Sequence, residues 1–235
     1  MNAAPLHIGS ERLMLDPGGV LAWPGGKLLA VADLHLEKGS AFAARGRFLP
    51  PYDTRDTLDR LGLLVRRWNP AHLLFLGDSF HDAQGAARLP AAEAASLAAL
   101  LKDRRVTWVT GNHDPLPTGL PGESVDSIKL GPFTFRHIGT PGSMAEISGH
   151  YHPKATVAVR GTTVTRACFL TDGRRVLLPA FGSYTGGLEI ADPAIAALFP
   201  RGGRAFLLGE ERLYSFPTGP LRRVAAAARA PTSGQ

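Results

Sequence analysis

The chain has 235 residues, of which 44% are hydrophobic and 20% charged, with one cysteine and a formal charge of +6. That composition predicts a soluble globular protein with a real core, and a single thiol excludes an internal disulfide. No apolar run approaches the ~18 residues needed to cross a bilayer. The N-terminus also lacks a basic stretch followed by an apolar one, so neither a membrane span nor a secretory signal is expected, and the predicted setting is cytoplasmic. Residues 201–235 hold six Lys+Arg and two Asp+Glu, which accounts for +4 of the +6. The remainder is nearly balanced, with no dense basic stripe. The charge is compatible with an anionic partner such as nucleic acid without establishing one.

Residues 13–23 and 27–32 are apolar segments split by Pro24-Gly25-Gly26, which reads as a hairpin. The run Leu28 to Ala32 is a buried strand that ends in Asp33-x-His35. Residues 37–52, rich in Gly, Ala and Arg, read as a loop with one helical turn. Asp53 to Trp68 places Leu58, Leu61, Leu64, Val65 and Trp68 on one helical face, with Asp53 or Thr54 as the cap. Leu73 to Leu76 is a second strand, followed at once by Gly77-Asp78. Pro90 to Asp103 is a helix with proline at its start. Val106 to Val109 is a third strand, running into Gly111-Asn112-His113-Asp114. This is βαβ order, with the active loops on one edge of a sheet. Beyond Pro115, residues 124–128, 132–138, 155–160, 163–170, 175–178 and 204–208 read as strands, and Asp192 to Phe199 as a short helix. The N-terminal half is therefore α/β and the C-terminal half mostly β. Residues 1–220 are expected to form one domain, and 221–235 a frayed or disordered tail.

Five polar blocks stand at the ends of apolar runs: Asp33-x-His35, Gly77-Asp78, Gly111-Asn112-His113-Asp114, His137, and Gly149-His150-Tyr151-His152. Each alone is weak; their order and placement together point to a site at the carboxyl ends of strands. Carboxylate, carboxamide and imidazole ligands suit Mn, Fe and Zn. Two such ions held ~3.5–4 Å apart clamp both oxygens of a displacement at phosphorus, and a shared water ionises near neutral pH to become the nucleophile. Such a pair needs a bridging carboxylate, and Asp78 is the natural bridge. Asp33, His35 and His152 would complete one site, and Asn112, His137 and His150 the other.

The series D-x-H, G-D, G-N-H-D, H and G-H-x-H across residues 33–152 resembles the calcineurin-like metallophosphoesterase superfamily. The resemblance implies a four-layer α/β/β/α sandwich of two mixed sheets, with a site for two divalent ions between the sheet edges. It implies that His113 contacts the phosphate and protonates the leaving oxygen, and that Asp114 orients His113. A narrower resemblance rests on VADLHLEKGSAFAARGRFLPPYDT, FLGDSFHD, VTGNHD, ISGHYHPKA and LPAFGSYTGGL. These strings are similar to the bacterial DNA-ligase-associated metallophosphoesterases, small enzymes linked in DNA repair with a DEXH-box helicase, an ATP-dependent DNA ligase and an exonuclease. Manganese is the expected metal, with iron or zinc as alternatives, and many relatives of this fold dimerise.

Arg45 and Arg47 are candidates to hold a phosphate or a DNA backbone, and His81 to touch substrate or support the ligands. Lys154 and Tyr184 are candidates to face the cleft, whereas His7, His72 and Cys168 are expected to be structural. The predicted activity is phosphodiester hydrolysis, on DNA as the expected substrate. Alternatives with the same ligands are a phosphomonoesterase, a hydrolase of small nucleotide diesters, or a non-catalytic repair scaffold. DNA cleavage requires an extended basic surface, whereas a small-molecule enzyme requires a closed pocket.

Overall fold

The computed structural model describes residues 2–115, 119–159 and 161–220. The tail expected at 221–235 lies outside the described residues. The elements in chain order are β1 (Ala4–Ile8), β2 (Glu11–Leu15), β3 (Leu21–Trp23), β4 (Leu28–Val31), α1 (Lys38–Ala43), α2 (Asp53–Trp68), β5 (His72–Leu76), α3 (Gly85–Arg88), α4 (Ala91–Leu101), β6 (Arg105–Val109) and β7 (Glu123–Val125). There follow β8 (Ser127–Leu130), β9 (Phe133–Arg136), β10 (Glu146–Ser148), β11 (Lys154–Val159), β12 (Thr162–Thr171), β13 (Arg175–Leu177), α5 (Pro193–Leu198), β14 (Gly203–Leu208) and β15 (Leu213–Thr218).

The strands form two mixed sheets. The first runs β1 to β7 in sequence order, antiparallel as far as β4 and parallel from β4 to β7. The second has the order β15-β14-β12-β13-β10-β9-β8, with β11 paired to β12. Strand alternation sorts the apolar residues into layers. Leu28, Ala30, Leu74 and Leu76 of the first sheet meet Phe133, Phe135, Phe169 and Val176 of the second in a shared core. The intervening Leu29, Val31, Leu73 and Phe75 face the other way, onto Leu58, Leu61 and Val65 of α2 and Leu97 and Leu101 of α4. On the far face of the second sheet, Cys168, Leu170 and Leu177 pack against Ile195 and Leu198 of α5. The expected α/β/β/α layering is present, with a thin outer layer made by one short helix.

Several local expectations change. The segment read as 13–23 is cut by a turn at Asp16 to Gly19, giving β2 and β3. The single strand expected at 124–128 is two: β7 closes the edge of the first sheet, and β8 opens the edge of the second. Strand β10 escapes sequence reading because it is three residues long with one apolar side chain. Neither Asp53 nor Thr54 caps α2. Asp53 Oδ2 accepts from the Gly39 amide at 3.0 Å, and Thr54 Oγ1 accepts from the Glu37 amide at 2.8 Å. Both side chains tie the α1 segment down beside the strand ends instead of serving their own helix.

Cys168 is fully buried, and burial pushes its thiol up to about 12. Only the thiolate reacts. A maleimide reagent at pH 8 should therefore leave Cys168 unlabelled in the native protein and modify it fully in denaturant. Stoichiometric labelling of the folded protein would contradict its place in the core.

Candidate metal centre

Parallel strands β4, β5 and β6 present their carboxyl ends on one edge of the first sheet, and parallel β9 and β10 do the same on the second. Asp33 and His35 follow β4, Asp78 follows β5, Asn112 to Asp114 follow β6, His137 follows β9, and His150 and His152 follow β10. The chain turns sharply at these ends. Asp33, His35, Asp78, His150 and His152 all have left-handed backbone, with φ of 56°, 44°, 47°, 74° and 47°. Asp and His tolerate that region better than most residues, yet each instance costs about 1–3 kcal/mol, and such strain concentrates at functional sites.

Two groups of donors result. In the first, His152 Nε2 lies 3.4 Å from Asp33 Oδ1 and 3.4 Å from His35 Nε2. In the second, His137 Nε2 lies 3.1 Å from Asn112 Oδ1, 3.1 Å from His150 Nδ1 and 3.4 Å from Asp78 Oδ2. Asp78 Oδ2 also lies 3.9 Å from His35 Nε2, so that oxygen faces both groups. The remaining carboxylate oxygens are held from behind. Asp78 Oδ1 accepts from the His113 amide and Asp33 Oδ2 from the His150 amide, each at 2.9 Å.

The donor set fits divalent cations. His137 Nδ1 lies 2.8 Å from the Leu76 carbonyl, which can only accept, so Nδ1 carries a proton there. Its Nε2 then turns a lone pair toward oxygens of Asn112 and Asp78 and a nitrogen of His150. Asp33 Oδ1 is buried without a hydrogen-bond partner. Carboxylate, carboxamide and imidazole donors converging in this way suit a divalent cation, and backbone carbonyls behind metal-ligating imidazoles fix ring orientation. The protonation balance points the same way. Burial pushes His35 down to about 3, against the attraction of Asp78. For His137, burial acts downward, but the bond to Asp78 and the charges of Asp33 and Asp78 outweigh it and raise the imidazole. For Asp78, burial acts upward, but its contacts with His137 and the His113 amide hold the carboxyl below its ordinary range.

A model of the calcineurin-like phosphoesterase family matches residues 26–164, more than half of the chain and every residue of the two groups. The chain belongs to this family. Among solved structures, the Pseudomonas putida nuclease MPE is 31% identical, with a TM-score of 0.70 over 92% of this chain and 100% of that one. A predicted phosphoesterase from Streptococcus pneumoniae TIGR4 aligns at 12% identity and a TM-score of 0.32 over 81% of this chain and 97% of that one, too far to carry an argument. No curated protein matches the chain. The protein is a metallophosphoesterase-fold hydrolase of a family that uses divalent metals, and no helix among its described residues is long and apolar enough to cross a membrane.

Beside the metal groups of this phosphoesterase, His113 and Asp114 have separate backbone partners. His113 Nδ1 lies 2.8 Å from the carbonyl of His81, while Asp114 Oδ2 accepts from the Phe80 amide at 2.8 Å. Both partners, Phe80 and His81, belong to the segment that follows β5. Burial and the nearby charge of Asp78 push Asp114 up to about 7, against the bond from Phe80. The aliphatic chain of Lys154 lies against Gly187.

His81 stands closer to the centre than its sequence position indicates. Its ring centroid is 5.6 Å from that of His35 and 5.3 Å from that of His113, and these three imidazoles form a further cluster of candidate ligands. Burial, then the charge of Lys38, pushes it down to about 4, and Arg45 adds to that effect. Arg45 is exposed in the segment that follows α1. Arg47 is exposed too, and neither guanidinium has an ion pair among the described residues. Tyr184 is exposed, and its carbonyl accepts from Lys38 Nζ at 2.9 Å. His7 is exposed on β1, and His72 is buried against Thr107, 2.9 Å from its hydroxyl. Sequence reading missed Arg136, which lines a hollow of 380 Å³ with Asn112 and His137. Its signal was its place directly before His137.

Proposed function

We propose that this phosphoesterase is a dinuclear, manganese-dependent phosphodiesterase that cuts DNA. The observation that carries the reading is the position of Asp78 Oδ2, facing His35 of one donor group and His137 of the other. Asp33, His35 and His152 would hold one ion, Asn112, His137 and His150 the second, and Asp78 both. Bound there, the ions would polarise the phosphoryl oxygens and make water a nucleophile near neutral pH. The chain's own residues do the rest. The His81 carbonyl fixes the Nδ1 proton of His113, which leaves Nε2 to meet the leaving oxygen of the substrate. Arg45 and Arg47 supply unpaired guanidiniums to flanking phosphates.

The nuclease at 31% identity supports a nucleic-acid substrate, and so does the exposed basic loop around Arg45 and Arg47. The sequence resemblance to the DNA-ligase-associated branch supports a role in DNA repair. On that reading the enzyme is a cytoplasmic homodimer whose partners are a DEXH-box helicase, a DNA ligase and an exonuclease.

The test is hydrolysis of bis-p-nitrophenyl phosphate and of p-nitrophenyl phosphate side by side, with Mn, Zn, Mg or chelator. Diester turnover that needs Mn and fails in His113→Ala supports the proposal. Monoester preference, or turnover in chelator, overturns it. Replacing Arg45 and Arg47 together with alanine should raise KM for DNA about tenfold and flatten the slope of log affinity against log salt by roughly 1.4–1.8. Hydrolysis of the small diester should be unchanged. An unaltered salt slope would remove these arginines from the DNA-binding surface.

A further inference from the structure

A second concave site lies at the other end of the second sheet. Strands β9 and β10 run in parallel toward His137 and His150. A cavity of 730 Å³ opens where β10 and β13 begin, beside Ser143 and Gly173, and none of the metal-group residues line it. That volume is in the range of sites for small ligands. Its walls carry Arg174, Arg175, Arg201 and Arg204 against one carboxylate, Asp172.

The carboxylate is already committed. Asp172 Oδ1 accepts from the amides of Arg174 and Arg175 at 2.9 and 3.1 Å. Arg175 is 5% exposed and is built in. Its two terminal nitrogens donate to the carbonyls of Thr140 and Ser143 at 3.0 and 2.6 Å. Its Nε is buried with no hydrogen-bond acceptor, 4.0 Å from Asp172 Oδ2, and its Nη1 lies 4.0 Å from Glu146 Oε1. Arg174 and Arg201 are exposed and form no ion pair among the described residues, and Arg204 donates to the Ser215 hydroxyl at 3.1 Å. Asp172 and the buried Glu146 balance Arg175, which leaves the exposed Arg174, Arg201 and Arg204 as the excess positive charge around the cavity, and guanidiniums suit phosphate by geometry. The lining also includes the apolar Leu198 and Phe206, with Met144 61% exposed at the edge. A flat ring fits such side chains, and a thioether makes a favourable contact with it.

We propose that this cavity binds a nucleotide, with its phosphate on the arginines and its base on the apolar side chains, at a site separate from the metal centre. The test is calorimetric titration of the full-length protein with AMP, inorganic phosphate and a 5′-phosphorylated oligothymidylate. The expected result is saturable AMP binding that survives Asp78→Asn and weakens about tenfold or more in the double variant Arg201→Ala/Arg204→Ala, since each lost charged hydrogen bond costs about that factor. Arg174→Glu should weaken it likewise. All three substituted arginines are exposed, so folding is retained, and hydrolysis of the small diester should match the wild type. Comparison of AMP with the oligonucleotide shows whether the nucleotide arrives free or as the end of a strand; tight binding of either supports the assignment. Equal affinity for phosphate and AMP would overturn it. So would AMP binding that ignores the arginine substitutions, or that disappears in Asp78→Asn alone. Diester turnover is read separately, so failure here leaves the metal-centre proposal standing.

Discussion

Asp78→Asn should reduce diester turnover by about 10³-fold or more, a loss of roughly 4 kcal/mol in transition-state stabilisation. Asparagine is the informative replacement. Its carboxamide oxygen can still accept the His113 amide, which Asp78 Oδ1 does now at 2.9 Å. Asparagine also tolerates the left-handed backbone at this position, where φ is 47°. The substitution therefore removes a negative charge and leaves the local fold in place. That charge is the one carboxylate facing both donor groups, since Asp33 Oδ1 faces His152 and His137 Nδ1 rather than the His137 Nε2 cluster. Without it, Asp33 is the one carboxylate left in the two groups to offset two divalent cations. Metal analysis should show loss of bound ion in parallel with activity, while circular dichroism and the melting transition stay close to wild type. A variant that keeps full turnover would remove Asp78 from the centre of the mechanism. One that keeps both ions but no turnover would move its role from holding metal to organising substrate.

Gly111→Ala should cost about 10²-fold in kcat, although it touches no ligand's chemistry. A Cβ at residue 111 would overlap the backbone nitrogen and Oδ1 of Asp78 and stand 2.9 Å from Asp114 Oδ1. None of these is the free end of a flexible side chain, so the strand ends must part, and the Asp78 carboxylate moves with them. A displacement on the order of 1 Å at a reacting centre is enough for that loss. The global cost should be modest, about 1–3 kcal/mol, because the overlap falls at the end of β6 and outside the packed layers. Gly186→Ala is the control: nothing lies within 4 Å of its Cβ, and turnover should hold within about twofold. Equal effects of the two substitutions would show that the close approach at Gly111 is not what sets the site.

The candidate ligands were legible because each follows a run of apolar residues, and a buried strand can only deliver polar side chains where it ends. That logic places Asp33, Asp78 and His113 from residues nearby in sequence. It is weaker for His137 and His150, whose strands β9 and β10 are four and three residues long. Helix α2 was readable to the residue, since sixteen positions of consistent periodicity outweigh local ambiguity. Its cap was not readable, because Asp53 and Thr54 have partners, Gly39 and Glu37, fixed by the packing of a separate segment. The partner of His113 was not readable for the same reason: the acceptor facing its Nδ1 is a carbonyl 32 residues earlier in the chain.

By itself, the sequence determined the alternation of apolar and polar residues that makes two sheets and their layers, and the kinds of ligand offered at their ends. Those properties are local, set by side-chain period and by the chemistry of single residues. Only the tertiary structure decided that Asp78 faces both donor groups, that the His81 carbonyl sets the proton on His113, and that four arginines share a cavity at the far end of the second sheet. The first joins residues of the two sheets across their common core, and the other two join residues distant in sequence at one end of a single sheet, so these distances are set by three-dimensional packing rather than by spacing along the chain.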